Sequence, residues 1–186
     1  MVNVLVAVAD GSEDIETVTV VDTLRRAGVA VTLASVMGVP AVTCANGTKI
    51  TADALVEDCA GKEWDAVIAP GGMPGAEHLA ANKTFTGLLK KQQEQQKLIG
   101  AICAAPAVVL AAHDLLQGKK ATCYPGFEEA LLESAADFQS GAVVSDGSVI
   151  TSRGPATALP FALALVEALC GVEVAGQVAS GMLATR

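Results

Sequence analysis

The chain has 186 residues, 52% of them apolar and only 3% aromatic, and its 12 basic against 20 acidic side chains leave a formal charge of −8. That length and apolar content suffice for one sizeable core over residues 1–186. The acidic balance and the scarcity of rings exclude a nucleic-acid surface as the expected role, because phosphate tracking needs cations and base stacking needs aromatics.

The opening run Met1 to Val8 is too short for a secretory h-region, carries no basic residue and meets Asp10, Glu13 and Asp14 at once. Asn3 to Ala9 therefore reads as a first core strand. Ser12 is placed to cap a helix that Glu13 and Asp14 open and that Arg25, Arg26 and Gly28 end. Val29 to Ser35 is a second strand, and Asn46-Gly47 between Val42-Thr43-Cys44 and Lys49-Ile50-Thr51 marks a hairpin. Ala66 to Ala69 follows as a strand. Phe85 to Gln96 is a surface helix, with Leu88 and Leu89 inward and Lys90, Lys91, Gln92, Gln93 and Glu94 toward water. Leu98 to Ile102 is the next strand, Ala107 to Ala112 an apolar helix, and Ala121 to Tyr124 a further strand. Asp146-Gly147 turns a second hairpin between Val143-Val144 and the strand Val149 to Ser152. The apolar stretch Phe161 to Leu169 follows Pro160 and is broken by Glu167, so it falls short of a membrane span.

Short Val, Ile and Ala runs alternating with helical segments imply βαβ units, an α/β fold with a mostly parallel sheet covered on both faces. Ligand sites in such folds lie along the carboxyl edge of the sheet. Five cysteines, an odd number without a CxxC pair, fit free thiols in a reducing compartment, the cytoplasm, and no zinc site. His78 and His113 have no metal-ligand spacing, and neither GxGxxG nor a Walker A run is present, so no metal or cofactor is expected.

On composition alone any one cysteine is a small buried hydrophobe. Cys103 differs in context: the strand Leu98 to Ile102 stops at it, and Pro106 belongs in the first turn of a helix. That is the geometry of a nucleophile elbow, in which unpaired N–H groups lower the thiol pKa and favour thiolate. Cys44, Cys59, Cys123 and Cys170 lack this setting and read as packing residues. Pro70-Gly71-Gly72 closes another strand, and its paired glycines allow close backbone approach and free N–H groups for an oxyanion. Glu16 lies in the first turn of the first helix on the same edge, either as a dipole-complementing glutamate or as a proton carrier whose pKa is raised beside the thiol. Neither histidine follows a strand end, which argues against a Cys-His protease site.

Gly11-Ser12-Glu13-Asp14-Ile15-Glu16-Thr17, Pro70-Gly71-Gly72, Ala101-Ile102-Cys103-Ala104-Ala105-Pro106 and Thr151-Ser152-Arg153-Gly154-Pro155 together resemble the ThiJ/PfpI superfamily, and within it the DJ-one branch. The resemblance runs essentially end to end. It implies a flavodoxin-like three-layer sandwich and a homodimer. It further implies that Cys103 is the reactive cysteine and Glu16 its hydrogen-bonded glutamate. The backbone of Gly71, Gly72 and Ala104 then forms the oxyanion site, Tyr124 and Pro155 border it, and Arg26 is presented across the dimer interface. Two residues depart from the pattern: Tyr124 stands where many members carry histidine, and Asn46 where the branch often carries an anion-binding arginine. A phenol can donate a hydrogen bond but is no base at neutral pH, so proton transfer falls on Glu16. The implied activity is a glutathione-independent glyoxalase or deglycase acting on methylglyoxal, glyoxal and their early adducts, tied to oxidative and carbonyl stress. The alternative is a redox sensor or redox-regulated chaperone acting through oxidation of Cys103.

Overall fold

The computed structural model describes residues 1–184. In chain order it contains β1 (Asn3–Val8), α1 (Asp14–Arg26), β2 (Ala30–Ser35), β3 (Ala41–Thr43), β4 (Lys49–Thr51), β5 (Ala54–Leu55), β6 (Ala66–Ala69), α2 (Gly75–Ala81), α3 (Lys83–Glu94) and β7 (Leu98–Ile102). A π-helical turn (Pro106–Leu110) and a 3-10 turn (Ala111–His113) follow. Then come β8 (Lys120–Ala121), α4 (Glu128–Glu133), β9 (Asp137–Phe138), β10 (Val143–Asp146), β11 (Val149–Ser152), α5 (Ala158–Cys170) and α6 (Val172–Gly181).

Seven strands form one sheet in the order β10-β11-β7-β6-β1-β2-β5. All neighbours are parallel except the edge pair β10 and β11, which is the second expected hairpin. Its five long parallel strands run β2-β1-β6-β7-β11, the flavodoxin-like doubly wound order. Helices α1, α5 and α6 pack on one face, and α2, α3, α4 and the Pro106–His113 turns on the other. Strands β6, β7 and β11 are buried throughout, as is β1 beyond Asn3, which is why they read as continuous apolar runs rather than alternating ones. The β3–β4 hairpin stands apart as its own two-stranded sheet. No helix among the described residues is long and apolar enough to cross a membrane.

Two local expectations are corrected. Ser12 does not cap α1: its Oγ accepts from the Ala9 N–H at 3.0 Å, closing the turn after β1, and Glu13 caps the helix instead. The strand expected over Ala121 to Tyr124 is only Lys120–Ala121, and it pairs with β9 in a separate small sheet because β10 already occupies the main sheet's edge. The apolar helix expected over Ala107 to Ala112 is present within a continuous helical run from Ala105 to His113, whose pitch passes from π to 3-10. Elsewhere the surface helix begins two residues early, because Asn82 Oδ1 accepts from the Phe85 N–H at 2.9 Å and caps it.

The central strand β7 brings its glycine against the helical layer. A Cβ at Gly100 would lie 2.7 Å from Ile68 Cδ1 and 3.1 Å from both Leu165 Cδ2 and Phe161 Cζ. The α5 side chains therefore seat directly on the strand that ends at Cys103. Gly100→Ala should destabilise the protein by about 1–3 kcal/mol through overpacking. Urea unfolding measures this, and an unchanged midpoint would show that the layer yields.

Candidate functional site

The carboxyl ends of β1, β6 and β7 carry the residues that converge. The chain leaves β7 through Cys103, whose φ of +65° is left-handed, the strained turn of an elbow. Two backbone bonds hold it there: the Cys103 N–H donates to the Ser152 carbonyl at 2.9 Å, and the Tyr124 N–H donates to the Cys103 carbonyl at 2.8 Å. The side chain is 8% exposed, reachable yet largely dry.

Glu16 comes from the first turn of α1. Glu13 fixes that turn, since its Oε2 accepts the Glu16 N–H at 2.8 Å. The Glu16 side chain is wholly buried, and its Oε2 accepts the Gly71 N–H at 2.8 Å. Its Oε1 makes no well-aligned hydrogen bond among the described residues, while the Cys103 thiol stands within hydrogen-bonding reach of the carboxyl. A proton on either group completes that contact.

Glycine is obligatory at the closest approach. A Cβ on Gly71 would fall 2.5 Å from Cys103 Cβ and 2.9 Å from Glu16 Oε2. Gly72, at φ +86°, packs against the backbone of Gly11, Ser12 and Glu13, which locks the loop after β6 to the loop after β1. The Gly72 and Ala104 N–H groups both approach the Cys103 sulfur. Two donors so placed can stabilise negative charge developing beside the thiol.

Burial is the main electrostatic fact. It pushes Glu16 up from 4.5 to about 7, with Glu13 adding to the rise and the Gly71 N–H and the Cys103 thiol opposing it. Burial and then the Glu16 charge push Cys103 up to about 12, against the Gly72 and Ala104 N–H groups. The elbow alone was expected to lower the thiol pKa. It does not, because burial outweighs the backbone N–H donors and a carboxyl occupies the place of a cation. With Glu16 ionised, the resting pair is carboxylate and thiol.

The structure thus brings together Cys103, Glu16, Gly71, Gly72 and Ala104. Tyr124 and Pro155 sit on adjoining loops: the Tyr124 ring lies over Gly154, 3.2 Å from where its Cβ would stand, and Pro155 opens the Pro155–Thr157 turn. Arg26 is not brought to Cys103 within one chain. It is exposed at the far end of α1, about 15 Å along the helix from Glu16, and pairs with Asp22 at 2.7 Å. His113 is tied to the Ala80 carbonyl through Nε2 at 2.9 Å. Cys44, Cys59 and Cys123 are buried and Cys170 partly so, as packing residues should be. Sequence reasoning missed Glu13 as the residue that sets Glu16. The signal was its spacing, with the cap three residues before the glutamate whose N–H it holds.

Residues 2–168 match the DJ-1/PfpI family. The chain is 42% identical to the Danio rerio Parkinson disease protein 7 homolog, covering 96% of this chain and 95% of that protein. It is 39% identical to the Caenorhabditis elegans glutathione-independent glyoxalase DJR-1.2, covering 88% and 86% respectively. It spans about half the length of the Arabidopsis thaliana DJ-1 homologs A and B, 46% and 41% of them, at 42% and 44% identity. Oxidised Toxoplasma gondii DJ-1 superposes with a TM-score of 0.96 at 42% identity over all of both chains. The elbow cysteine, the buried glutamate and these matches give one conclusion: the chain belongs to the DJ-1/PfpI family.

Proposed function

We propose that the chain is a glutathione-independent glyoxalase of small α-oxoaldehydes, methylglyoxal and glyoxal, whose nucleophile is Cys103 and whose proton carrier is Glu16. The observation that carries this reading is the buried Glu16 carboxyl, raised to about 7, beside a thiol that faces two backbone N–H donors. A base poised near neutrality next to a dry nucleophile suits proton transfer on carbon as well as on sulfur. Kinship with a relative named for this activity supports it. Removal of early glycated adducts, protection under oxidative or carbonyl stress, action in the cytoplasm and assembly as a homodimer that presents Arg26 to a second copy belong to the same proposal.

The chemistry needs no outside oxidant. Cys103 Sγ bonds to the aldehyde carbon of methylglyoxal while Glu16 takes the thiol proton and returns it to the aldehyde oxygen, giving a hemithioacetal. The Gly72 and Ala104 N–H groups stabilise that oxygen while it carries charge. Glu16 then removes the proton on the former aldehyde carbon, giving an enediolate, and delivers it to the neighbouring carbon while the hydroxyl proton on the former aldehyde oxygen passes to the former ketone oxygen. The product is a thioester of lactate, and water cleaves its C–S bond to release lactate and restore the thiol. Methylglyoxal plus water becomes lactic acid, so one carbon is oxidised as its neighbour is reduced.

A second reading, peroxide sensing or redox-regulated chaperone action, draws on the same N–H groups. Two equivalents of peroxide would convert the thiol to a sulfinate and release two waters, and Glu16 in its protonated form would donate to the sulfinate. The oxidised state of the Toxoplasma relative favours keeping this reading beside the first.

Lactate formation from methylglyoxal in glutathione-free buffer tests the proposal. Wild type should turn over, Cys103→Ser should be inactive, and Glu16→Gln should lose about 10²–10⁴-fold. Gly71→Ala should lose stability by overpacking and, in its folded fraction, lose about 10²-fold in activity by displacing thiol from carboxylate. Absence of lactate from wild type, with mass gain at Cys103 under peroxide, would transfer the assignment to the sensor.

The raised Glu16 pKa predicts two opposite pH trends. The base must be ionised, so kcat/KM should rise with pH through about 7. Stability should do the reverse: folded Glu16 holds its proton to a higher pH than the unfolded 4.5, so its contribution is complete below 4.5 and lost as pH rises through about 7. The separation corresponds to about 3 kcal/mol. Denaturant titrations across this range should show that decline in wild type and a flatter profile in Glu16→Gln; parallel profiles would contradict the assignment.

A further inference from the structure

The elbow is bordered by an aromatic residue that the fold leaves partly in water. The Tyr124 N–H donates to the Cys103 carbonyl at 2.8 Å, yet Tyr124 is 45% exposed. Its ring lies against Gly154, where a Cβ would stand 3.2 Å from Tyr124 Cδ2 and 3.5 Å from Cε2. Gly154 is itself buried and held at both backbone groups: its N–H donates to Thr157 Oγ1 at 3.0 Å, and its carbonyl accepts the Thr157 N–H at 2.8 Å. Thr157 Oγ1 lies 2.6 Å from Ser152 Oγ, in the residue whose carbonyl accepts the Cys103 N–H. Ring and thiol are therefore both fixed to the end of β11.

The loop after β6 adds a second apolar residue. The Gly72 N–H approaches the sulfur, and the next residue, Met73, is 42% exposed. That loop packs on the loop after β1, since a Cβ on Gly11 would fall 2.6 Å from Pro74 Cδ. Arg153, beside Gly154 in the chain, is engaged elsewhere: its guanidinium is 3.9 Å from Glu128 Oε1 and donates to the Ser140 carbonyl at 3.4 Å. Two large apolar side chains thus remain partly in water on fixed backbone beside the reactive thiol. Sites for small molecules combine a few fixed polar groups with aromatic and apolar walls, and here the polar groups are the Gly72 and Ala104 N–H donors.

We propose that Tyr124, seated on Gly154, and Met73 wall an apolar slot that receives the carbon substituent of a reactant whose electrophilic carbon meets Cys103 Sγ. The sulfur defines the occupant. A carbonyl carbon bonded to Sγ, with its oxygen at the two N–H donors, must send its remaining substituent out along this rim. Extended to substrates, the inference rests on the glyoxalase reading and names their class: α-oxoaldehydes that carry an aryl or extended alkyl group are preferred to glyoxal, which carries none. Gly154 acts here as a positioning residue, through the ring that it seats.

Alkylation of Cys103 tests the slot without requiring turnover. Iodoacetamide and its N-phenyl derivative present the same electrophilic carbon and differ by one ring. Peptide-level mass spectrometry gives the Cys103 rate constant for each, and their ratio is divided by that of a small free thiol. This normalised preference for the phenyl reagent should be about fivefold or more in wild type. It should persist in Tyr124→Phe, which keeps the ring, and fall at least about threefold in Tyr124→Ala and about twofold in Met73→Ala. Gly154→Ala, whose Cβ displaces the ring, should lower it about twofold, and should add nothing in the Tyr124→Ala background. A wild-type protein without the preference, or a preference that Tyr124→Ala or Met73→Ala leaves unchanged, overturns the proposal. So does its loss in Tyr124→Phe, which would assign the effect to the phenol. The two readings fail separately: without turnover of any α-oxoaldehyde the glyoxalase reading falls and the alkylation preference stands, whereas lactate from methylglyoxal without that preference removes the slot alone.

Discussion

Glu16 and Cys103 are two acids buried side by side, and in the absence of water a carboxylate and a thiolate cannot be sustained next to each other. Once Glu16 is ionised the pair holds one proton, on sulfur at rest; in the proposed reaction it passes to the carboxyl as sulfur attacks. Burial raises both groups and the Glu16 charge raises the thiol further, while the thiol's hydrogen bond to Glu16 opposes the rise of the carboxyl. In the proposed reaction the neighbour that suppresses thiolate at rest is also the base that accepts its proton, and no histidine is called for.

The fold exists around that contact in a literal sense. Glu16 belongs to the element after β1, Gly71 and Gly72 to the loop after β6, and Cys103 to the end of β7, so three consecutive strands of the sheet each deliver one part. The doubly wound order places those strand ends at the point where the chain's path reverses. Gly71 permits the approach, Glu13 orients the glutamate, and the Ser152 carbonyl holds the elbow from the next strand. The buried strands make this arrangement rigid, which is what a proton shuttle of fixed length requires.

Much of this was legible in the sequence because buried parallel strands are continuous apolar runs: β6, β7 and β11 fall where those runs predict them. The elbow was legible because a strand, a cysteine and a proline in succession leave few alternatives. What escaped was set by tertiary geometry. Lys120–Ala121 joins a side sheet because β10 fills the edge, and periodicity carries no information about which edge is vacant. The thiol's direction of shift was misjudged because burial and the Glu16 charge outweigh the N–H donors at the helix start, and no local motif encodes either. Arg26 stands apart from the site, paired with Asp22 at the far end of α1.

The central claim is that Glu16 titrates near neutrality because it is buried against Cys103. Carboxyl carbon NMR of glutamate-labelled protein reads this directly. The account predicts one glutamate resonance titrating at about 7, absent in Glu16→Gln. A Glu16 carboxyl that ionises in the ordinary range near 4.5 would contradict the shared proton and, with it, the proposed division of labour between the two residues.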